Sequence, residues 1–117
     1  MRTRRQQRVS DRVREEIADL LERRLVDPRL HGLTVTGVEV TPDLKQAFVY
    51  VSSLLGVEGS SEALSGLEHA KGFVRHELAQ RLNLRVTPEL VFRWDTSLET
   101  GERISRILDD LTKEHDT

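Results

Sequence analysis

The chain has 117 residues, 37% of them apolar and 32% charged, with a formal net charge of -2; this is one domain's length and an ordinary globular balance, which excludes a disordered chain. The absence of cysteine excludes disulfides and thiolate metal sites and suits a reducing cytosol. No apolar run approaches the roughly 18 residues of a membrane span, the Arg-rich start has no apolar stretch behind it for a secretory signal, and acidic residues from Asp11 onward argue against a mitochondrial presequence.

The charge is unevenly spread. Residues 1–14 hold Arg2, Arg4, Arg5, Arg8, Arg12 and Arg14 against Asp11 alone, whereas Asp95, Glu99, Glu102, Asp109, Asp110, Glu114 and Asp116 outnumber the cations of the last part. Such polarity points to an anionic partner at one end and solvation at the other.

Val9, Val13, Ile17, Leu20, Leu21 and Leu25 draw one stripe of a first helix. Ser10 can cap it, and V-D-P-R stops it because Pro28 pushes Asp27 out of helical space. L-T-V-T-G-V-E-V-T then alternates with a slip of phase at Gly37, where a bulge would return Leu33, Val35, Val38 and Val40 to one face. T-P-D-L is a turn, and Q-A-F-V-Y-V, apolar on both parities, reads as a central strand antiparallel to the first. After the loop G-V-E-G-S-S, with Ser60 or Ser61 as cap, Leu64, Leu67, Ala70, Val74, Leu78 and Leu82 continue a stripe through Gly72, which reads as two helical pieces sharing a core face. P-E-L-V-F-R-W-D alternates with Leu90, Phe92 and Trp94 inward. T-S-L-E has capping-box spacing ahead of a last amphipathic helix through Ile104, Ile107, Leu108 and Leu111. The order gives an α+β layer fold: a single domain, residues 1–117, with a three-stranded sheet and helices mainly on one face.

Catalytic chemistry is hard to find. His69 and His76 share a helical face but lack a third metal ligand; no carboxylate pair sits in a recognisable apolar pocket, and Asp95, the best single carboxylate, suits a turn or cap. There is no nucleophile elbow or phosphate loop. A non-enzyme without cofactor or metal is expected.

The basic residues carry more. Arg2, Arg4, Arg5 and Arg8 form a basic N-terminal segment, about residues 1–8, at an end expected to be mobile: a phosphate-binding arm or a solubilising tail. Lys71 stands at the expected helix break, where free N–H groups would favour anions. Arg75 and Arg81 flank the core direction and fit RNA contact as well as stems lying along the core edge; Arg85 lies just beyond. G-V-E-G matches the G-x-x-G of nucleic-acid-clamping KH modules but lies before the helix pair and carries Glu58, so it reads as a plain loop, whereas A-K-G, residues 70–72, lies between two helices that follow two strands.

These elements, A-x-G, and the run L-R-V-T-P-E-L-V-F-R-W-D-T-S-L-E-T-G-E-R-I, with V-D-P-R-L, V-T-G-V-E-V-T-P-D-L and A-F-V-Y-V, resemble the ribosome-binding factor A family over nearly the whole chain. The resemblance implies a type II KH-like domain with an added C-terminal helix, in which Ala70, Lys71 and Gly72 form an interhelical kink. It also implies a cytoplasmic, monomeric, non-catalytic factor that binds the small (30S) ribosomal subunit and its rRNA late in maturation, aids 5′-end processing of 16S rRNA, and matters most in the cold. Arg2, Arg4, Arg5, Arg8, Lys71, Arg75, Arg81 and Arg85 are the expected RNA contacts. A protein-interaction module holding another assembly or translation factor is the alternative.

Overall fold

In a computed structural model, the described residues are 2–53 and 58–97. Helix α1, Arg4–Arg23, buries Val9, Val13, Ile17 and Leu20, the stripe expected from spacing. Its start differs from expectation. Thr3 is the cap: its hydroxyl accepts from the Gln6 amide at 3.0 Å, and the Gln6 side chain accepts from the Thr3 amide at 2.9 Å. Ser10 is instead buried inside the helix, where its hydroxyl accepts from the Val40 amide at 3.2 Å, while Gln6 Nε2 donates to the Val40 carbonyl at 3.2 Å. One turn of α1 thus satisfies the outward amide and carbonyl of Val40, at the end of the edge strand, where open groups would otherwise invite foreign pairing. The basic segment, expected as a mobile arm, is helical from Arg4 onward, so Arg4, Arg5 and Arg8 stand on a fixed scaffold. Thr3→Ala should cost about 1 kcal/mol in urea unfolding, since it removes the hydroxyl that accepts from the Gln6 amide while leaving the Thr3 amide to the Gln6 side chain; no change in midpoint would mean that the hydroxyl cap adds nothing.

Past a 3-10 turn, Pro28–Leu30, strands β1 (Leu33–Val40) and β2 (Gln46–Ser53) pair antiparallel, with the register slipping between Val35 and Gly37. The bulge returns Val38 and Val40 to the face of Val35, as the alternation requires. Strand β3, Glu89–Trp94, runs parallel to β2 on its other side, making β2 central. One sheet face carries Val35, Val38, Val49, Val51, Leu90 and Phe92 against the helices. Phe48, Tyr50 and Val91 cluster on the other.

Helix α2, Ser60–Leu82, is one uninterrupted helix. The break expected at Ala70, Lys71 and Gly72 does not interrupt it, and so the free N–H groups expected beside Lys71 do not exist there. At about 100° per residue, Ala63, Leu67, Ala70, Val74 and Leu78 already lie on one side of a single helix. Its N-cap is Gly59 at φ 86° with no side-chain cap, rather than Ser60 or Ser61; this left-handed conformation suits glycine. The last expected helix lies outside the described residues, except for Thr96 and Ser97.

Candidate nucleic-acid interface

Two helix ends build the interface. At the C-terminus of α2, Asn83 adopts a left-handed conformation, φ 50°, which ends the helix and turns the chain toward β3. Arg75 then clamps the loop: its Nε donates to the Pro88 carbonyl at 3.3 Å and Nη2 to the Thr87 carbonyl at 3.0 Å. With the loop held, Arg85 and Val86 join Thr3, Arg5, Gln6 and Leu44 around a cavity of about 370 Å³ at the N-terminus of α1. Val86 is 61% exposed, an apolar knob beside the two guanidinium groups. The turn at the far wall is fixed by Asp43, whose carboxylate accepts from the Thr41 hydroxyl at 2.7 Å and the Lys45 amide at 3.0 Å. Those two bonds, the hydroxyl first, hold the Asp43 carboxyl below its usual pKa.

The charges at the start of α1 run against the helix dipole. Its first turn has no acidic residue; Arg8 follows one turn on, and Arg4 and Arg5 stand at its positive end. Each such cation costs about 0.3–1 kcal/mol at low ionic strength, an expense that an anion lying across the helix start would cancel. Arg4, Arg5, Arg8 and Arg85 are exposed and have no ion pair or hydrogen bond among the described residues. Asp43 lines this cavity and also a neighbouring groove of about 690 Å³, which holds Lys45 and Arg75 but adds Glu89; with two guanidinium groups against one carboxylate, the arginine side is the stronger anion surface.

The other expected contacts are engaged within the fold. Arg2 pairs with the buried Glu39. Lys71 pairs with Glu68 at 2.9 Å and lies 5.9 Å from the Phe92 ring centre, so it is tethered but partly exposed. Arg81 is the firmest: Nη1 reaches Glu16 at 2.9 Å and Asp19 at 2.8 Å, and Nε approaches Glu77 at 3.8 Å. It joins α2 to α1, a role no local pattern reveals. Its hydrogen bond holds the Asp19 carboxyl below the ordinary range, with Arg23 adding attraction; Asp19 and Glu16 in turn raise the Arg81 pKa.

A carboxyl lowered in the folded state adds stability above its unfolded pKa and loses it as pH falls through the folded value. The stability gap between the native chain and Arg81→Met should therefore be full near neutrality and shrink below about pH 4, the ordinary Asp value. Urea titrations across that range would show it; a gap independent of pH would remove Asp19 from the account.

Sequence reasoning did not find Gln6, the partners of Arg81 and Arg75, or Val86. Only the first left a signal, the Thr3-x-x-Gln6 spacing. Asp95 is a turn group, as expected: its carboxylate accepts from the Ser97 amide at 2.8 Å and pairs with the hydroxyl of the bulge residue Thr36.

A family model described as ribosome-binding factor A matches residues 5–108. The chain is 43% identical over 112 residues to the ribosome-binding factor A of Aromatoleum aromaticum, covering 96% of this chain and 88% of that protein. It is 44% identical over 110 residues to that of Azoarcus sp. strain BH72, covering 94% and 87%. The solution NMR structure of a Thermotoga maritima ribosome binding factor A superposes with a TM-score of 0.72 at 33% identity, covering 86% of this chain and 95% of that one. The crystal structure of the Thermus thermophilus factor gives 0.68 at 30% identity, covering 76% and 93%. A Thermus thermophilus homology model fitted into the cryo-EM map of a 30S–RbfA complex gives 0.62 at 30% identity, covering 74% and 91%. With a family match across most of the chain and relatives this similar over nearly their full length, the chain belongs to the ribosome-binding factor A family.

Proposed function

We propose that this chain is a non-catalytic factor that binds the small ribosomal subunit through rRNA phosphates and promotes its late maturation, including 5′-end processing of 16S rRNA. It acts as a cytoplasmic monomer, with the greatest demand in the cold. The observation that carries the phosphate reading is the group of arginines in the first two turns of α1, Arg4, Arg5 and Arg8, unpaired among the described residues, with Arg85 brought beside Arg5. The relative fitted into a 30S complex supports the choice of partner. Arg4, Arg5, Arg8 and Arg85 form the main phosphate contact; Lys71, exchanging Glu68 for phosphate, is a lesser one beside Gly72. Arg2 is engaged with Glu39, while Arg75 and Arg81 hold the framework that presents the others.

Sucrose-gradient sedimentation with small subunits at low and moderate salt tests this. The protein should travel with the subunits and be released as salt rises, because phosphate contacts displace condensed counterions. Failure to travel with subunits at low salt would refute subunit binding. Association that survives complete RNA digestion would replace the rRNA reading with a protein-interaction one.

A further inference from the structure

Helices α1 and α2 pass each other in opposite directions, and three contacts give their alignment. At the end of α1, Arg24 reaches Glu77 at 3.3 Å and lies over the Phe73 ring. About two turns back along α1, Glu16 and Asp19 meet Arg81 at 2.9 and 2.8 Å. About three turns further back, Arg5 shares a cavity with Leu84, Arg85 and Val86, past the end of α2. Arg12 stands on α1 between the level of the Arg81 contact and the level of Arg85.

At about 100° per residue, Arg5, Arg8, Arg12, Glu16 and Asp19 fall within about 80° of one another, on the flank that meets Arg81. Arg14 falls on the opposite flank. Along the first flank the charge changes sign once. Arg81 neutralises the carboxylates of its far half from within the fold. Arg5, Arg8 and Arg12, in the near half, are exposed and have no ion pair or hydrogen bond among the described residues. Glu15 is three residues from Arg12, yet the two form no pair. Arg5 and Arg8 are three apart and Arg8 and Arg12 four apart, spacings at which like charges on a helix repel. Cations held in such a row, unrelieved by any carboxylate of the fold, suit a partner that brings successive negative charges along the helix, as a polynucleotide backbone does.

We propose that Arg12 is a further phosphate contact, and that the rRNA backbone runs along this flank of α1 from the cavity at Arg5 and Arg85 to Arg12. The track covers about 10 Å of helix axis and stops where Glu16 and Asp19 clamp Arg81. This assignment rests on the phosphate reading above and gives the nucleic acid a direction, parallel to α1 rather than across it.

Arg12→Gln and Arg14→Gln separate a track from net charge. Both positions are exposed, two residues apart in α1; each change removes one positive charge, and glutamine propagates a helix about as well as arginine. With small subunits, Arg12→Gln should lower affinity about tenfold or more at moderate salt and flatten the salt slope by roughly 0.7–0.9, the share of one phosphate. Arg14→Gln should leave both unchanged. Equal losses in the two variants would overturn the track, because overall charge alone would then matter. Normal binding by Arg12→Gln beside weakened binding by the combined Arg5→Glu and Arg85→Glu variant would overturn it as well, ending the contact at Arg8. Normal binding by that combined variant too would bring down the phosphate reading itself.

Discussion

Arg5→Glu combined with Arg85→Glu should lower affinity for small subunits by about a hundredfold or more at moderate salt, while the protein becomes no less stable. A charge-assisted contact is worth about 1.5–3 kcal/mol, so losing two gives at least that factor even before repulsion is added. The slope of log affinity against log salt should flatten by roughly 1.4–1.8, because two fewer phosphates are neutralised. The stability expectation has the opposite sign. Arg5 stands in the first turn of α1, where the helix dipole disfavours a cation and favours a carboxylate. Glutamate there should raise stability by a few tenths of a kcal/mol, and exposed Arg85 should contribute little either way. Weaker binding with equal or higher stability separates a lost contact from a damaged fold. Unchanged affinity and unchanged salt slope would take this edge out of the interface.

Arg75→Ala probes the same site through its framework. It leaves Arg85 in the chain but frees the Thr87 and Pro88 carbonyls that fix the loop. Affinity should fall less than in the double reversal, and the salt slope should stay near its original value, because the number of cations facing phosphate is the same. A slope that drops by a full contact would make Arg75 itself a phosphate ligand.

What the sequence reveals about this protein follows from the range of each interaction. The stripe of Val9, Val13, Ile17 and Leu20, the slip of phase at Gly37 and the two apolar parities of β2 are local patterns, and each predicts what is found. The start of α1 is also legible in Thr3 and Gln6, but Ser10 beside Val9 is the more obvious cap because the apolar stripe begins there. The fates of the arginines are not legible. Arg81 meets Glu16 and Asp19 across more than sixty positions of chain, and Arg75 meets bare carbonyls that no side-chain pattern records. Helical spacing places a cation on a flank; only packing of α2 against α1 decides whether that flank is occupied by carboxylates. Residues that look equally suited to RNA therefore divide into those holding the fold and those left facing solvent.

The two glycines inside α2 should respond in opposite directions, and the difference shows where a glycine serves packing. A Cβ at Gly66 would meet Leu30 Cδ2 at 3.1 Å and Arg29 Cβ at 3.2 Å, so the missing side chain lets α2 seat against the 3-10 turn. Gly66→Val should therefore cost about 1–3 kcal/mol, as overpacking does when backbone or neighbours must shift. A Cβ at Gly72 would meet nothing within 4 Å, and the residue is exposed in an unbroken helix. Gly72→Ala should raise stability by about 0.5–1 kcal/mol, the ordinary gain from replacing helical glycine by alanine. Paired urea melts would read both effects, and a destabilising Gly72→Ala would mean that the helix needs glycine's backbone freedom there. Among the described residues nothing meets a side chain at Gly72 to offset its cost, and the proposed function assigns its benefit to a partner at the outer face of α2. On the proposed function that is the rRNA backbone beside Lys71, and the stabilised Gly72→Ala protein should bind small subunits more weakly than the native chain. Equal binding by the more stable variant would leave Lys71 without a closely approaching partner and place the contact at Arg4, Arg5, Arg8 and Arg85.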